Sequence, residues 1–260
     1  MKVSLIQMNI VFGNTEVNRT RVMEMIHKAA KDKPDVIVLP EMWNTSFSLK
    51  DIHAIADKEG EPTKTFICDL AKKYQINIVA GSIADKYDED IYNRLYVVDR
   101  GGNVIAHYDK VHLVRHAGEQ EYIKPGVEAT VFNIDGIKCG AVLCYDLRFP
   151  ELARTMALKG AKVLFVPAQW FETRIDHWKT LTTARAIENQ MYVVAVNRIG
   201  NEFQAIFPGN SMVIDPWGKI VAQAGNEEKI LTAEMDINLV DRVRKKITCF
   251  LDRNVNVYKL

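Results

Sequence analysis

Two runs of four apolar residues, Val36-Ile37-Val38-Leu39 and Val163-Leu164-Phe165-Val166, set the tightest limit on what this chain can become. A strand with one wet face alternates apolar with polar residues, whereas an unbroken apolar run belongs to a sheet covered on both faces. Each run must therefore be sandwiched between other layers. The residues around them supply those layers. Upstream of the first run, Val22, Ile26, Ala29 and Ala30 recur at helical spacing, with Asn14 or Thr15 placed to cap the helix and Pro34-Asp35 to end it. A second helix is predicted from about Pro62 to Tyr74, then a strand over Ile76–Ala80. Gly101-Gly102-Asn103 joins Leu95–Val98 to Val104–Tyr108 as a hairpin.

The second half repeats this grammar. Asp135-Gly136 turns a hairpin between Val131–Ile134 and Ile137–Leu143, and a helix opens at Pro150 and is capped near Gly160. After Val163–Val166 come a helix over Asp176–Asn189, a strand over Met191–Val196, and a turn at Asp215-Pro216-Trp217-Gly218 between two last strand pieces. Strand–helix–strand units in both halves, with hairpins between them, predict a layered α/β fold with mixed sheets. No linker or low-complexity segment interrupts residues 1–260, so one domain is expected.

Composition removes whole classes of function. Thirty-four Lys and Arg against 33 Asp and Glu leave a formal charge of +1, without the basic field that a nucleic-acid partner requires. The longest uncharged stretch, Val3 to Thr15, is too short for a membrane span and is broken by Ser4, Gln7 and Asn9, which also argues against a secretory signal. Four cysteines are too few for a disulfide scaffold and fit no CxxC zinc pattern. A reducing cytoplasm is the expected setting.

In open α/β sheets, functional groups gather beyond the carboxyl ends of strands. Glu41 follows Val36–Leu39 and Pro40, Lys110 follows Val104–Tyr108, and Cys144 ends Ile137–Leu143. A carboxylate to move protons, an ammonium to hold an oxyanion and a thiol to attack are the parts of nucleophilic acyl transfer. Alone, each has an ordinary reading: a solvated loop acid, a surface lysine, a packed cysteine. What singles out Cys144 is the segment Cys144-Tyr145-Asp146-Leu147-Arg148-Phe149-Pro150-Glu151, a sharp strand-to-helix corner. Such a corner is expected to expose the thiol and to favour its thiolate through the helix N-terminus.

Leu39-Pro40-Glu41, Asp109-Lys110-Val111-His112-Leu113 and Cys144 to Glu151 together resemble the three catalytic motifs of the carbon–nitrogen hydrolase (nitrilase) superfamily. Their spacing, 69 residues from Glu41 to Lys110 and 34 from Lys110 to Cys144, is typical of it. The resemblance implies a four-layer αββα sandwich, with Cys144 as nucleophile, Glu41 as general base and Lys110 as oxyanion ligand, helped by the backbone N–H of Tyr145. It also implies a second glutamate about 25 residues before the cysteine. Glu119 fits, with Glu121 a rival two residues away. No metal or cofactor is called for. His107, His112 and His116 lie close together but lack the HExxH spacing of a zinc hydrolase, and the signature of a papain-type cysteine is absent.

The block Pro167-Ala168-Gln169-Trp170, with Arg174, His177-Trp178 and Ala184-Arg185-Ala186-Ile187-Glu188-Asn189-Gln190, is similar to the omega-amidase branch. That implies a small 2-oxo dicarboxylic acid monoamide as substrate, with ammonia released. Its distal carboxylate calls for an arginine, and Arg148, Arg174 and Arg198 are candidates, with Trp170 and Tyr145 as pocket walls. N-carbamoyl amino acids, aliphatic amides and nitriles are the rival substrates, since the same three residues process all of them. A catalytically dead binding module on the same scaffold is the rival of another class, and it should lack at least one of the three. The resemblance further implies a homodimer, with the tail from about residue 248 to 260 in its contacts.

Overall fold

The computed structural model describes residues 1–258. Its frame is two mixed sheets. In the larger, the neighbours run Lys229–Glu234, Lys2–Gln7, Val36–Val38, Asn77–Val79, Asp90–Val98, Ile83–Tyr87 and Asp57–Lys58, and Val104–Asp109 also pairs with Asp90–Val98. Lys2–Gln7, Val36–Val38 and Asn77–Val79 are parallel, and antiparallel strands flank them. The second sheet runs Ile220–Gln223, Met212–Ile214, Tyr192–Asn197, Val163–Ala168, Ile137–Ala141 and Val131–Ile134, parallel at its centre. A separate two-stranded ribbon pairs Ile199–Glu202 with Ala205–Pro208.

The apolar runs do what their lack of alternation requires. Side chains point to opposite faces on successive strand residues. Accordingly Val3, Leu5, Val36, Val38, Val79, Leu95 and Val97 join a core shared with the second sheet's Val142, Phe165 and Val194. Their neighbours Ile6, Ile37, Leu39, Ile78 and Val98 face the other way, onto Val22, Met25, Ile26, Ile67 and Leu70 of the helices Thr15–Ala29 and Thr63–Tyr74. Helices Pro150–Leu158 and Ile175–Asn189 cover the outer face of the second sheet. The result is the αββα sandwich.

The punctuation residues act as their chemistry dictates. Asn14 Oδ1 accepts from the Val17 N–H at 3.1 Å and caps the first helix. Asp135 and Gly136 both take positive φ, 49° and 79°, which a two-residue hairpin turn requires. The strand over Asn77–Val79 is shorter than expected by one residue at each end. After helix Asn238–Lys246 the chain continues in turns, leaving Leu251, Val255, Val257 and Tyr258 exposed; the last two tail residues lie outside the described residues. No helix among the described residues is long and apolar enough to cross a membrane.

Candidate active site

Strands from both sheets end at one point and deliver the polar groups to it. Glu41 lies just past Val36–Val38, Lys110 just past Val104–Asp109, Gln169 just past Val163–Ala168 and Cys144 three residues past Ile137–Ala141. Glu41 and Lys110 are completely buried, Glu119 is 1 % exposed and Cys144 is 8 % exposed. The readings of a solvated acid and a surface lysine therefore fail.

Lys110 is the hub. Its Nζ lies 3.0 Å from Glu41 Oε1 and donates to Glu119 Oε1 at 2.8 Å and Oε2 at 3.1 Å. Glu119 Oε2 also accepts from the Val114 N–H at 2.7 Å, which fixes the carboxylate from behind. Glu121 is exposed, so Glu119 is the glutamate that the fold brings to the lysine. Burial opposes the ammonium, but the facing carboxylates of Glu41 and Glu119 and the Cys144 sulfur outweigh it and hold Lys110 protonated above its ordinary range. Burial pushes the Glu41 carboxyl up; Lys110 opposes that shift and Glu119 adds to it.

Glu41 has two further partners. Oε1 accepts from Asn93 Nδ2 at 2.9 Å, and Oε2 from the Gln169 backbone N–H at 3.1 Å. Asn93 stands in the middle of Asp90–Val98, and no sequence motif marks it. The main chain of Gln169 meets both Glu41 and Cys144: its carbonyl also accepts from Cys144 Sγ at 3.7 Å.

The corner at Cys144 differs from expectation. The strand stops at Ala141, and Cys144–Arg148 forms a 3-10 turn before the helix at Pro150. Cys144 itself has φ of 43°, a strained conformation for a residue with a Cβ. Rather than exposing the sulfur, the corner buries it. Burial pushes the thiol well above its ordinary range and Glu41 adds to the shift, so the helix terminus does not win. The turn is pinned by Asp146, whose Oδ2 accepts from the Tyr108 hydroxyl at 2.6 Å and the Leu143 N–H at 3.0 Å. Asp146 Oδ1 lies 2.8 Å from both the backbone N and Nδ1 of His112, whose ring stacks on Phe149. Tyr145 packs edge-on to the same Phe149 ring.

The three arginine candidates separate. Arg198 is fully buried and paired with Glu202 at 2.8 Å, so it is a framework residue and not a substrate ligand. Arg148 lies over the Trp170 ring at 4.6 Å and the Tyr145 ring at 5.8 Å, one turn from Cys144. Arg174 is close enough to Arg148 that their like charges, after burial, push the Arg148 guanidinium down. Neither makes an ion pair among the described residues; Arg148 Nη1 meets only the His177 ring, at 3.3 Å. Trp170 is buried, with its backbone N–H donating to Asn197 Oδ1 at 2.7 Å and its indole N–H to the Arg174 carbonyl at 2.7 Å. Of the remaining thiols, Cys139 is buried, Cys68 is partly buried and Cys249 is exposed.

Both the sequence and the fold have known relatives. The carbon-nitrogen hydrolase family model matches residues 2–245. The chain is 40 % identical to a 2-oxoglutaramate amidase of Bacillus subtilis over 98 % of both chains. It is 34 % identical to the omega-amidase NIT3 of Saccharomyces cerevisiae, covering 99 % of this chain and 94 % of that one. The crystal structure of a CN-hydrolase superfamily protein from Xanthomonas campestris, with an arsenic adduct in its active site, superposes with a TM-score of 0.92 at 28 % identity, over 100 % of this chain and 98 % of that one. With a buried glutamate, lysine and cysteine at one end of an αββα sandwich and a family match along almost its whole length, the chain belongs to the carbon-nitrogen hydrolase family of enzymes.

Proposed function

We propose that this enzyme is an omega-amidase, hydrolysing the terminal amide of small 2-oxo dicarboxylic acid monoamides such as 2-oxoglutaramate, with succinamate as a related substrate. One observation carries the choice of substrate. Arg148 and Arg174 stand beside the turn that carries Cys144 without a carboxylate partner among the described residues, and two neighbouring unneutralised guanidinium groups suit a substrate that brings its own carboxylate. The likeness to the 2-oxoglutaramate amidase supports the same reading.

In the proposed cycle the resting thiol is neutral, because burial holds its proton on. The proton must therefore leave during attack. Glu41 takes it as Sγ bonds to the amide carbon, and the Lys110 ammonium and the Tyr145 N–H receive the developing oxyanion. A preorganised donor of this kind is worth about 10²–10³ in rate. The C–N bond breaks as Glu41 returns the proton to the leaving nitrogen, and ammonia departs. Water then attacks the thioester, giving a proton to Glu41. The C–S bond breaks, and that proton restores the thiol. Proton transfer by a positioned group adds about 10²–10⁴. Glu119 keeps the ammonium aimed and charged.

The test is ammonia release from a panel of 2-oxoglutaramate, succinamate, an N-carbamoyl amino acid, an aliphatic amide and a nitrile. The expected order puts the oxo-acid monoamides first; preference for a carbamoyl compound or a nitrile would overturn the assignment. We also propose a cytoplasmic homodimer. A catalytic thiol needs a reducing compartment, and the exposed Leu251, Val255, Val257 and Tyr258 of the tail give an apolar surface for a second copy to cover. Light scattering tests the dimer.

A further inference from the structure

The two reacting side chains come from opposite sheets, and Gln169 is where they are brought into register. Its backbone N–H donates to Glu41 Oε2 at 3.1 Å, and its carbonyl accepts from Cys144 Sγ at 3.7 Å. The side-chain amide sets where that peptide sits. Nε2 donates to the Glu41 carbonyl at 2.9 Å and the Met42 carbonyl at 3.3 Å. This works in one orientation only: a flipped amide would turn its oxygen onto two carbonyl oxygens. The opposite edge decides the orientation. Oε1 accepts from Arg198 Nη1 at 3.0 Å, and Ser46 Oγ, which donates to Glu202 Oε2 at 2.6 Å, lies 3.2 Å away.

Arg198 is an unusual residue to spend on this. A wholly buried guanidinium is destabilised by desolvation, and burial pushes Arg198 down from its ordinary range. It is retained by Glu202 at 2.8 Å, by the Ile10 carbonyl at 2.7 Å and by the Phe207 ring at 4.2 Å. The segment it braces is strained: Met42 and Ser46, one and five residues past Glu41, have φ of 44° and 54°.

We propose that Arg198, held by Glu202, is a positioning residue that acts through the Gln169 amide to align Glu41 with Cys144. The proposal rests on the reading of Glu41 as the base. Losing the brace leaves substrate binding intact but lets the base drift, and displacement by about an ångström costs up to about 10²-fold in rate. A weakened Gln169 N–H bond also removes a donor to ionised Glu41, which moves its protonation to higher pH.

The experiment compares wild type, Arg198→Met, Arg198→Lys and Glu41→Gln by kcat, KM, the pH profile of kcat/KM and the fraction of Cys144 titrated by iodoacetamide. For Arg198→Met the expected result is a fall in kcat of about 10- to 100-fold with KM within about threefold, and an acid limb moved to higher pH. Arg198→Lys, which keeps one donor, should recover part of the loss. Unchanged kcat, or a loss that merely follows the titratable fraction with the acid limb unmoved, would overturn the proposal. If Arg198→Met does not fold, the double variant R198M/E202Q, which removes both charges, is read by the same criteria. Glu41→Gln separates the two ideas. If it stays active, the base assignment fails; if it is inactive while Arg198→Met matches wild type, only the positioning role fails.

Discussion

The Tyr108 hydroxyl donates to Asp146 Oδ2 at 2.6 Å, and this bond joins the strand that delivers Lys110 to the turn that carries Cys144. Both groups are buried, and Asp146 raises the tyrosine's hold on its proton after burial itself has done so. Tyr108→Phe removes the donor and leaves the ring in place. Asp146 keeps the Leu143 and His112 N–H groups, so the turn should survive with a weakened anchor. The expected cost is about 1.5–3 kcal/mol in urea unfolding, as for a hydrogen bond to a charged group. Unchanged stability would mean that the lysine strand and the nucleophile's turn are held together by packing alone.

Cys144→Ala should abolish turnover without loosening the fold. Alanine keeps the same Cβ at φ of 43°, so strain is unchanged, and the thiol's bond to the Gln169 carbonyl, at 3.7 Å, is long. Stability should stay within about 1 kcal/mol of wild type, while kcat falls by 10⁴-fold or more, on the order seen when a nucleophile is deleted. Near wild-type ammonia release from the alanine variant would reassign the nucleophile.

The pH profile follows from the directions of two shifts. In the proposed cycle Glu41 acts as base only when ionised, and burial places its protonation above the ordinary value of 4.5. As pH falls through that raised value the carboxylate takes a proton and kcat/KM declines, so the acid limb should lie above the ordinary carboxylate range. On the alkaline side, the Cys144 thiol is pushed well above 9.0 and Lys110 is held charged, so activity should not decline near the ordinary thiol value. Steady-state rates with 2-oxoglutaramate across this range test both limbs. An acid limb at or below 4.5 would contradict the buried, lysine-flanked base.

How far the sequence carried is clearest at individual residues. Val36–Val38 was legible because an unbroken apolar run has one home, a doubly covered sheet, and the position of Glu41 followed from it. Asn93 was not legible. It sits in mid-strand, and its bond to Glu41 joins residues 52 apart in sequence through a pairing that no local pattern encodes. Arg198 was misplaced for a related reason. An arginine after an apolar strand reads as a ligand for an anion until Glu202, four residues on, is seen to neutralise it. The corner at Cys144 was located correctly but given the wrong exposure, since its cover is Gln169, from another strand.

Arg148 and Arg174 should govern which amides are accepted. Arg148→Met keeps the stacking bulk against Trp170 and removes the charge. For succinamate, KM should rise by about 10- to 100-fold, while a neutral aliphatic amide changes by less than about threefold. Arg174→Met should behave alike, and the double variant should exceed either alone. Equal losses on charged and neutral amides would show that the arginines shape the pocket without reading the carboxylate.

Asp57 tests the electrostatics away from the site. It is 4 % exposed, accepts from the Thr63 N–H at 3.2 Å, and burial raises its pKa from 3.8 to about 6. A carboxyl that binds its proton more tightly folded than unfolded has no burial penalty below 3.8, where both states are protonated. Between that value and about 6 the unfolded chain has lost the proton and the folded one keeps it, so folding stability falls as pH rises through the window. The full loss contributed by this group across the window is about 3 kcal/mol. Asp57→Asn keeps an oxygen for the Thr63 N–H and has no charge to bury. Its stability relative to wild type should therefore rise by about 2 kcal/mol from pH ~4 to pH ~7 and then level off. Urea unfolding of both proteins across that range measures the difference directly. A constant gap between the two curves would show that Asp57 is already ionised in the folded protein at low pH, through contacts stronger than its burial.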